Sequence, residues 1–297
     1  MKTTDNNLRC DIATGLCELP SDKNASDNKV VKLVYFTDPI CSSCWGIEPQ
    51  LRKLKLEYGD HFKIEYHMGG LLRNWQSYGG NDVNGPAAVA QHWEEAGKYY
   101  EMPIDGDIWR EDPLQSSYPA SIAVKAAQMQ DELKGEKFLR RIREMVFVEK
   151  MNINLTDNLA KAAAETGLNV QQFLFDYTND ALRLFEEDIN LTKMWGVRGF
   201  PTIFFTDEDG SRLKLYGSRN YEQYESALLS LVPDVPKKQL PDDEQLFDAF
   251  GTMAAKELAV IKNRKLSEVQ QTLNEMSNRS FITKIGSNDK YLWKRAS

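Results

Sequence analysis

The 297-residue chain is poor in the residues that staple or metallate a fold, with four cysteines and three histidines. No apolar stretch approaches the ~18 residues of a membrane span, and the polar start "MKTTDNNLRCDIATGLCELPSDKNASDN" has no apolar core of the kind a secretion signal needs. The expected compartment is therefore the cytoplasm, where thiols are kept reduced. There, cysteines point to catalysis or metal binding rather than to a disulfide framework. Positive charge is also scarce. With 37 Lys and Arg against 44 Asp and Glu the formal charge is −7, which is unsuited to neutralising phosphates, so neither nucleic acid nor a membrane is expected as a partner. Internal repeats are absent.

What is present suffices for one large domain or two ordinary ones, since 41% of the residues are hydrophobic and 27% charged. Residues 1–28 are polar, show no sustained period, and read as a flexible leader. "VVKLVYFT" (30–37) has the length and β-branched character of a strand and stops at Asp38-Pro39. From Cys41 the apolar residues Ile47, Leu51, Leu54 and Tyr58 recur at helical spacing until Gly59, which predicts a single helix. A second strand, "FKIEYHM" (62–68), runs into a glycine loop ending at Gly79 and Gly80. A mostly helical block follows over 81–195. After it, "PTIFFTDEDGSRLKLYGS" reads as a hairpin turning at Asp-Glu-Asp-Gly, and "NYEQYESALLSLV" as one more helix.

This order predicts an α/β fold, with one unit formed by 29–80 and 196–233 and interrupted by an all-helical insertion over 81–195. The linker "PDVPKKQLPDDE" opens a C-terminal extension, 234–297, with helices expected at 244–262 and 266–277 and a hairpin in "FITKIGSNDKYLWKR". Its cadence of helix, turn, helix and wing suggests a winged helix. The acidic leading helix favours a structural or partner-docking role over DNA binding.

The chemistry-bearing motif is "DPICSSCWGIEP" (38–49). Cys41 falls at a helix entry and Cys44 one turn in. A thiolate at a helix N-terminus meets unsatisfied N–H groups, which lower a cysteine pKa from ~8.5 to roughly 3.5–7.5. Cys41 is then the expected attacking sulfur, and Cys44 keeps its proton until it resolves the mixed disulfide. A zinc site needs four ligands, and only Cys10, Cys17 and three scattered histidines are on offer. The strand-to-helix position of the Cys-x-x-Cys favours redox chemistry, and no metal is expected. Cys10 and Cys17 read either as a second dithiol exchanging with the first or as two exposed thiols. Trp45, beside the pair, is expected to form one wall of a substrate groove. His61 and His92 are expected at the surface, and His67 as a packed strand residue. Most of the aromatics near the insertion (Trp75, Tyr78, Trp93, Trp109) are expected in the core. Downstream, "WGVRGFPTIFF" places Pro201 at a strand start, where its missing N–H does no harm to the ladder.

"CSSCW" behind the first strand, a helical insertion, and "VRGFPT" before a hairpin resemble the DsbA family of thioredoxin-like proteins over roughly residues 30–232. Within it, the stretch Asp-Pro-x-Cys-x-x-Cys-Trp and the pair Gly69-Gly70 are similar to FrnE-like dithiol-disulfide oxidoreductases. The insertion's "PLQSSYPASIAVKAA" and "FLRRIREMVFVEKMNI", with the appended tail, also resemble the YjbH/SpxH adaptors, which present a transcription regulator to the ClpXP protease. The resemblance implies a cis proline at Phe200-Pro201 beside the sulfurs, holding a substrate backbone. It further implies a thiol-disulfide oxidoreductase or isomerase acting on protein or peptide disulfides, with glutathione or a thioredoxin as electron partner and no bound cofactor. Related glutathione transferases and hydroxychromene-carboxylate isomerases carry serine at the first cysteine, so the retained Cys41 points away from them. The alternative it implies is an adaptor, with a protein client docked on the insertion or the tail.

Overall fold

The computed structural model describes residues 9–11, 16–18, 30–77, 85–208, 210–287 and 289–296. Tyr78, Gly79 and Gly80 and most of the leader lie outside them. Within the leader, where no structure was expected, β1 (Arg9–Asp11) and β2 (Leu16–Glu18) pair antiparallel, and their register sets Cys10 directly across from Cys17.

β3 (Val31–Thr37) is buried at nearly every position on both faces, as a central strand requires. It pairs parallel with β4 (Phe62–Met68) and antiparallel with β5 (Thr202–Thr206), which pairs antiparallel with β6 (Arg212–Tyr216), giving the order β4-β3-β5-β6. Between β3 and β4 the chain forms α1 (Ser42–Gly46) and α2 (Glu48–Tyr58). The single helix expected here is broken at Ile47, because Pro49 has no N–H with which to continue the ladder from Trp45.

The insertion supplies α3 (Pro86–Tyr100), α4 (Ile108–Glu111), α5 (Tyr118–Gln130), α6 (Glu132–Phe147), α7 (Thr156–Glu165), α8 (Val170–Thr178) and α9 (Ala181–Met194). Asp131 and Asn169 cap α6 and α8 by accepting from the N–H groups of Lys134 and Gln172. Trp93 and Trp109 fill its core, as expected, together with Phe138, Phe147 and Phe173, and Trp75 packs against it. After β6, α10 (Tyr221–Leu229) starts in a capping box of Asn220 and Gln223. One face of the sheet (Leu33, Tyr35, Ile203, Phe205) packs against α2 and α10; the other (Val34, Phe36, Phe204) packs against Leu191 and Trp195 at the end of α9.

The extension runs α11 (Asp243–Phe250), β7 (Thr252–Met253), α12 (Ala255–Lys262), α13 (Leu266–Asn278), β8 (Ile282–Ser287) and β9 (Lys290–Arg295), with sheet order β7-β9-β8. This is the winged-helix order. The first expected tail helix, 244–262, is divided because Gly251, at φ +70°, ends α11 and a short strand intervenes. α13 contains no Lys or Arg and exposes Glu268 and Glu275, and the wing is docked inward, through Ser287 Oγ on Asp105 (2.8 Å) and Lys290 on Glu94 (2.5 Å).

The three parts meet at Glu257, which is wholly buried. Its carboxylate accepts two bonds from Arg140 of α6 (2.8 and 3.1 Å) and lies 3.2 Å from Arg52 of α2. It also accepts from the N–H of Ala254 (2.7 Å). Burial alone would push this carboxyl up, but the two guanidinium groups hold it below its ordinary range.

Candidate functional site

Cys41 is the N-cap of α1, and the N–H of Cys44 donates to its sulfur at 3.2 Å. The Cys-x-x-Cys spacing makes this bond possible, because position N3 of a helix presents its N–H to the cap. Both cysteines are free thiols, 5% and 0% exposed. The cover over α1 comes from the insertion: the Tyr100 ring lies where a Cβ at Gly46 would be, and its hydroxyl donates to Ser43 Oγ at 3.1 Å.

Beneath the sulfurs lies a second arginine of α6. Arg143 is fully buried; it donates to Glu48 Oε1 and Thr37 Oγ1 (2.6 Å each) and to the carbonyl of Asp38 (3.3 Å). Among the described residues its Nε has no hydrogen-bond partner. Burial raises the Cys41 thiol well above its ordinary value, reinforced by its bond to Cys44. Burial pushes Cys44 up too, but the Cys41 bond, the Arg143 charge and the Thr37 and Tyr35 hydroxyls outweigh it, leaving Cys44 below the ordinary value. The pair thus holds one proton loosely and one tightly and titrates as a unit, with the Arg143 charge favouring its anionic form.

Asp38 closes the top of β3. Its carboxylate accepts from the N–H groups of Ile40 (3.1 Å) and Leu71 (2.7 Å) and from Ser117 Oγ (2.8 Å), fixing the β4 loop and α5 around the motif. Burial raises its pKa to about 6 in spite of these donors.

The Phe200-Pro201 bond is cis, and the Phe200 ring packs with the cluster that holds Cys41 and Cys44. That ring occupies the space a Cβ at Gly69 would need, so residue 69 has no room for a side chain. Trp45, by contrast, must be corrected. It is wholly buried, stacked on Phe147 with Arg140 over its ring, and its Nε1 donates to Pro103 O at 3.0 Å, so it is core and lines no groove. His61 is buried rather than at the surface. His67, partly buried, bonds Asp188 at 2.6 Å.

Cys10 and Cys17 face each other in the backbone register of the leader hairpin, and β2 lies beside α11. Among the described residues no group of three or more His, Cys, Asp or Glu could hold a metal ion. No helix among them is long and apolar enough to cross a membrane. A cleft of about 260 Å³ lined by Lys32, His67, Trp195 and Arg212 opens on the α9 face of the sheet, opposite the face on which the cysteines pack.

A thioredoxin family model matches residues 35–226. The ClpXP adapter protein SpxH of Halalkalibacterium halodurans is 32% identical over 92% of this chain and 92% of that protein; the Bacillus subtilis protein of the same name is 30% identical over 91% and 90%. Among solved structures, the cytosolic disulfide reductase DsbM from Pseudomonas aeruginosa aligns with a TM-score of 0.53 and 24% identity, covering 68% of this chain and 97% of that one. The chain belongs to the thioredoxin family, with the DsbA-like fold and an inserted helical block, and it shares nearly its whole length with proteins named as ClpXP adaptors.

Proposed function

We propose that the protein is a cytoplasmic adaptor that presents a protein client, a regulator of the Spx type, to the ClpXP protease. The observation that carries this reading is the reach of the similarity. Solved thioredoxin-like structures such as DsbM match only about two thirds of the chain, whereas the SpxH relatives match about nine tenths of it. The extension lies beyond residues 35–226, which the thioredoxin model matches, and it is locked to both other parts through Glu257 and the wing. Thiol exchange needs none of that surface; docking two proteins at once does. The burial of Cys41 agrees, since a sulfur 5% exposed is poorly placed to attack a folded protein's disulfide.

The test is degradation of a purified Spx-type regulator by purified ClpXP, with and without this protein. The wild type and a C41S/C44S variant should accelerate degradation alike. No acceleration by the wild type would overturn the reading, and acceleration lost only in the double serine variant would make the dithiol essential to it.

A second reading rests on the intact Cys41-Cys44 pair, the arginine beneath it and the cis Phe200-Pro201 bond: a thiol-disulfide oxidoreductase acting on protein or peptide disulfides. Cys41 attacks once its proton has passed to Cys44, expelling one substrate thiolate, which then takes that proton from Cys44. Cys44 then displaces the second, leaving the Cys41-Cys44 disulfide for glutathione or a thioredoxin to reduce. Insulin reduction that survives in C41S would refute it. Cys10 and Cys17, one opposite the other, are the matching proposal for a second dithiol.

A further inference from the structure

We infer that the outer edge of β6 is a docking strand for an extended segment of a partner protein in which acidic and apolar residues alternate. The two edges of the four-stranded sheet are treated differently. On β4 the insertion occupies outward backbone groups: Gln128 Nε2 donates to the carbonyl of Tyr66 (3.3 Å), and Asp188 accepts from the N–H of Met68 (2.8 Å). On β6 no side chain among the described residues bonds the backbone of 212–216, and Leu215 is the one half-buried position there, the other four being exposed. The strand has no proline and no bulge, two common devices that blunt an edge. An unpaired row of N–H and C=O groups is a template for strand addition.

The side chains decide what kind of strand fits. Residues two apart share a face. Arg212 and Lys214 lie on the α9 side, folded over the rings of Trp195 (4.3 Å) and Phe204 (5.5 Å), so they leave the edge itself clear. Leu213 and Leu215 lie on the other side, where Leu215 joins the core next to the cysteines. Among the described residues none of Arg198, Arg212, Lys214 or Arg219 has a carboxylate within ion-pair distance, although the chain as a whole carries a formal charge of −7. An added strand would set its alternate side chains beside Arg212 and Lys214 on one face and beside Leu213 and Leu215 on the other, and the complement of that pattern is acidic alternating with apolar. A second copy of β6 would bring Arg and Lys against Arg and Lys, so the charges that welcome an acidic partner also disfavour pairing of this edge with itself.

This inference deepens the adaptor reading by giving the client or protease a place to dock, and it is tested without either of them. The probe is a fluorescein-labelled peptide, acetyl-Glu-Val-Glu-Val-Glu-Val amide, titrated by anisotropy. Three further titrations use a peptide of the same composition with the alternation removed and two peptides N-methylated on one or the other alternate set of amides. The alternating peptide should bind the unaltered protein, one N-methylated peptide should lose binding while the other keeps it, and the R212E/K214E variant should bind about tenfold or more weakly. The K63E/K161E variant, with the same net charge change away from β6, should bind like wild type. Equal binding by all four peptides, no binding by the alternating one, or equal loss in K63E/K161E would overturn the docking strand. If ClpXP delivery succeeds while the peptide fails, the adaptor reading stands and this edge is not its docking site.

Discussion

Arg140 and Arg143 lie three residues apart on α6, both turned inward, yet their surroundings separate two uses of a buried cation. Arg140 meets carboxylates almost throughout: Glu257 twice and Glu144 (2.8 Å), with Trp45 under its plane. Its charge is consumed in joining parts of the chain. Among the described residues Arg143 has one carboxylate, Glu48, and otherwise neutral oxygens, with Nε unpartnered. Its positive charge is incompletely matched and acts on the sulfurs above it. The lesson is that burial of an arginine says little about its role; the balance of its partners says more.

That contrast can be broken most severely at the joint. Glu257→Gln removes the carboxylate from between Arg52 and Arg140 and should cost about 3–5 kcal/mol of unfolding free energy in urea denaturation, with early proteolysis in the 234–242 linker. Next in size, Arg143→Met should raise the pKa of the more acidic thiol of the pair, followed through thiolate absorbance at 240 nm, whereas Arg140→Met should leave that titration nearly unchanged. A pH effect follows from Asp38. Its folded pKa of about 6 lies above the ordinary aspartate value near ~3.9, so between those limits the folded state binds more protons than the unfolded one. This group's contribution to stability therefore falls as pH rises from about 4 to about 6 and is flat above. Urea midpoints across that range should show the decline, and D38N should remove it. The smallest effect is expected for Tyr100→Phe, which gives up the bond to Ser43 Oγ, worth about 0.5–1.5 kcal/mol. Tyr100→Ala, which removes the ring as well, should speed alkylation of Cys41 by iodoacetamide, whereas Tyr100→Phe should leave it near wild type, the sign that the ring is the cover.

Features fixed by neighbours in sequence were legible in advance. The Cys-x-x-Cys declared its helix entry, β3 and β5 declared themselves by β-branched and aromatic runs, and Pro201 marked a strand start. The wing could be read from the rhythm of the tail, although the break at Gly251 could not, because the helical period runs through it. The surroundings of the sulfurs were invisible for a different reason. Arg143 reaches Thr37 across 106 residues and sits in a stretch, "FLRRIREM", that looks like a charged helix face. An unpaired reading of Trp45 likewise missed that Phe147 and Pro103 enclose it. The signal that could have found Arg143 is the period of that helix, which places it on the same face as Leu139 and Phe147.

The linker around Pro233 and Pro236 invites cutting the chain there to obtain a tidy redox module. The arrangement at Glu257 argues against that shortcut. Such a fragment would bare two guanidinium groups that share the carboxylate it has lost, together with the flank of Leu56 that the missing piece covers. What looks in one dimension like an appendix is, in three, part of the floor on which the remainder stands, and neither part is expected to tolerate exchange for a foreign counterpart.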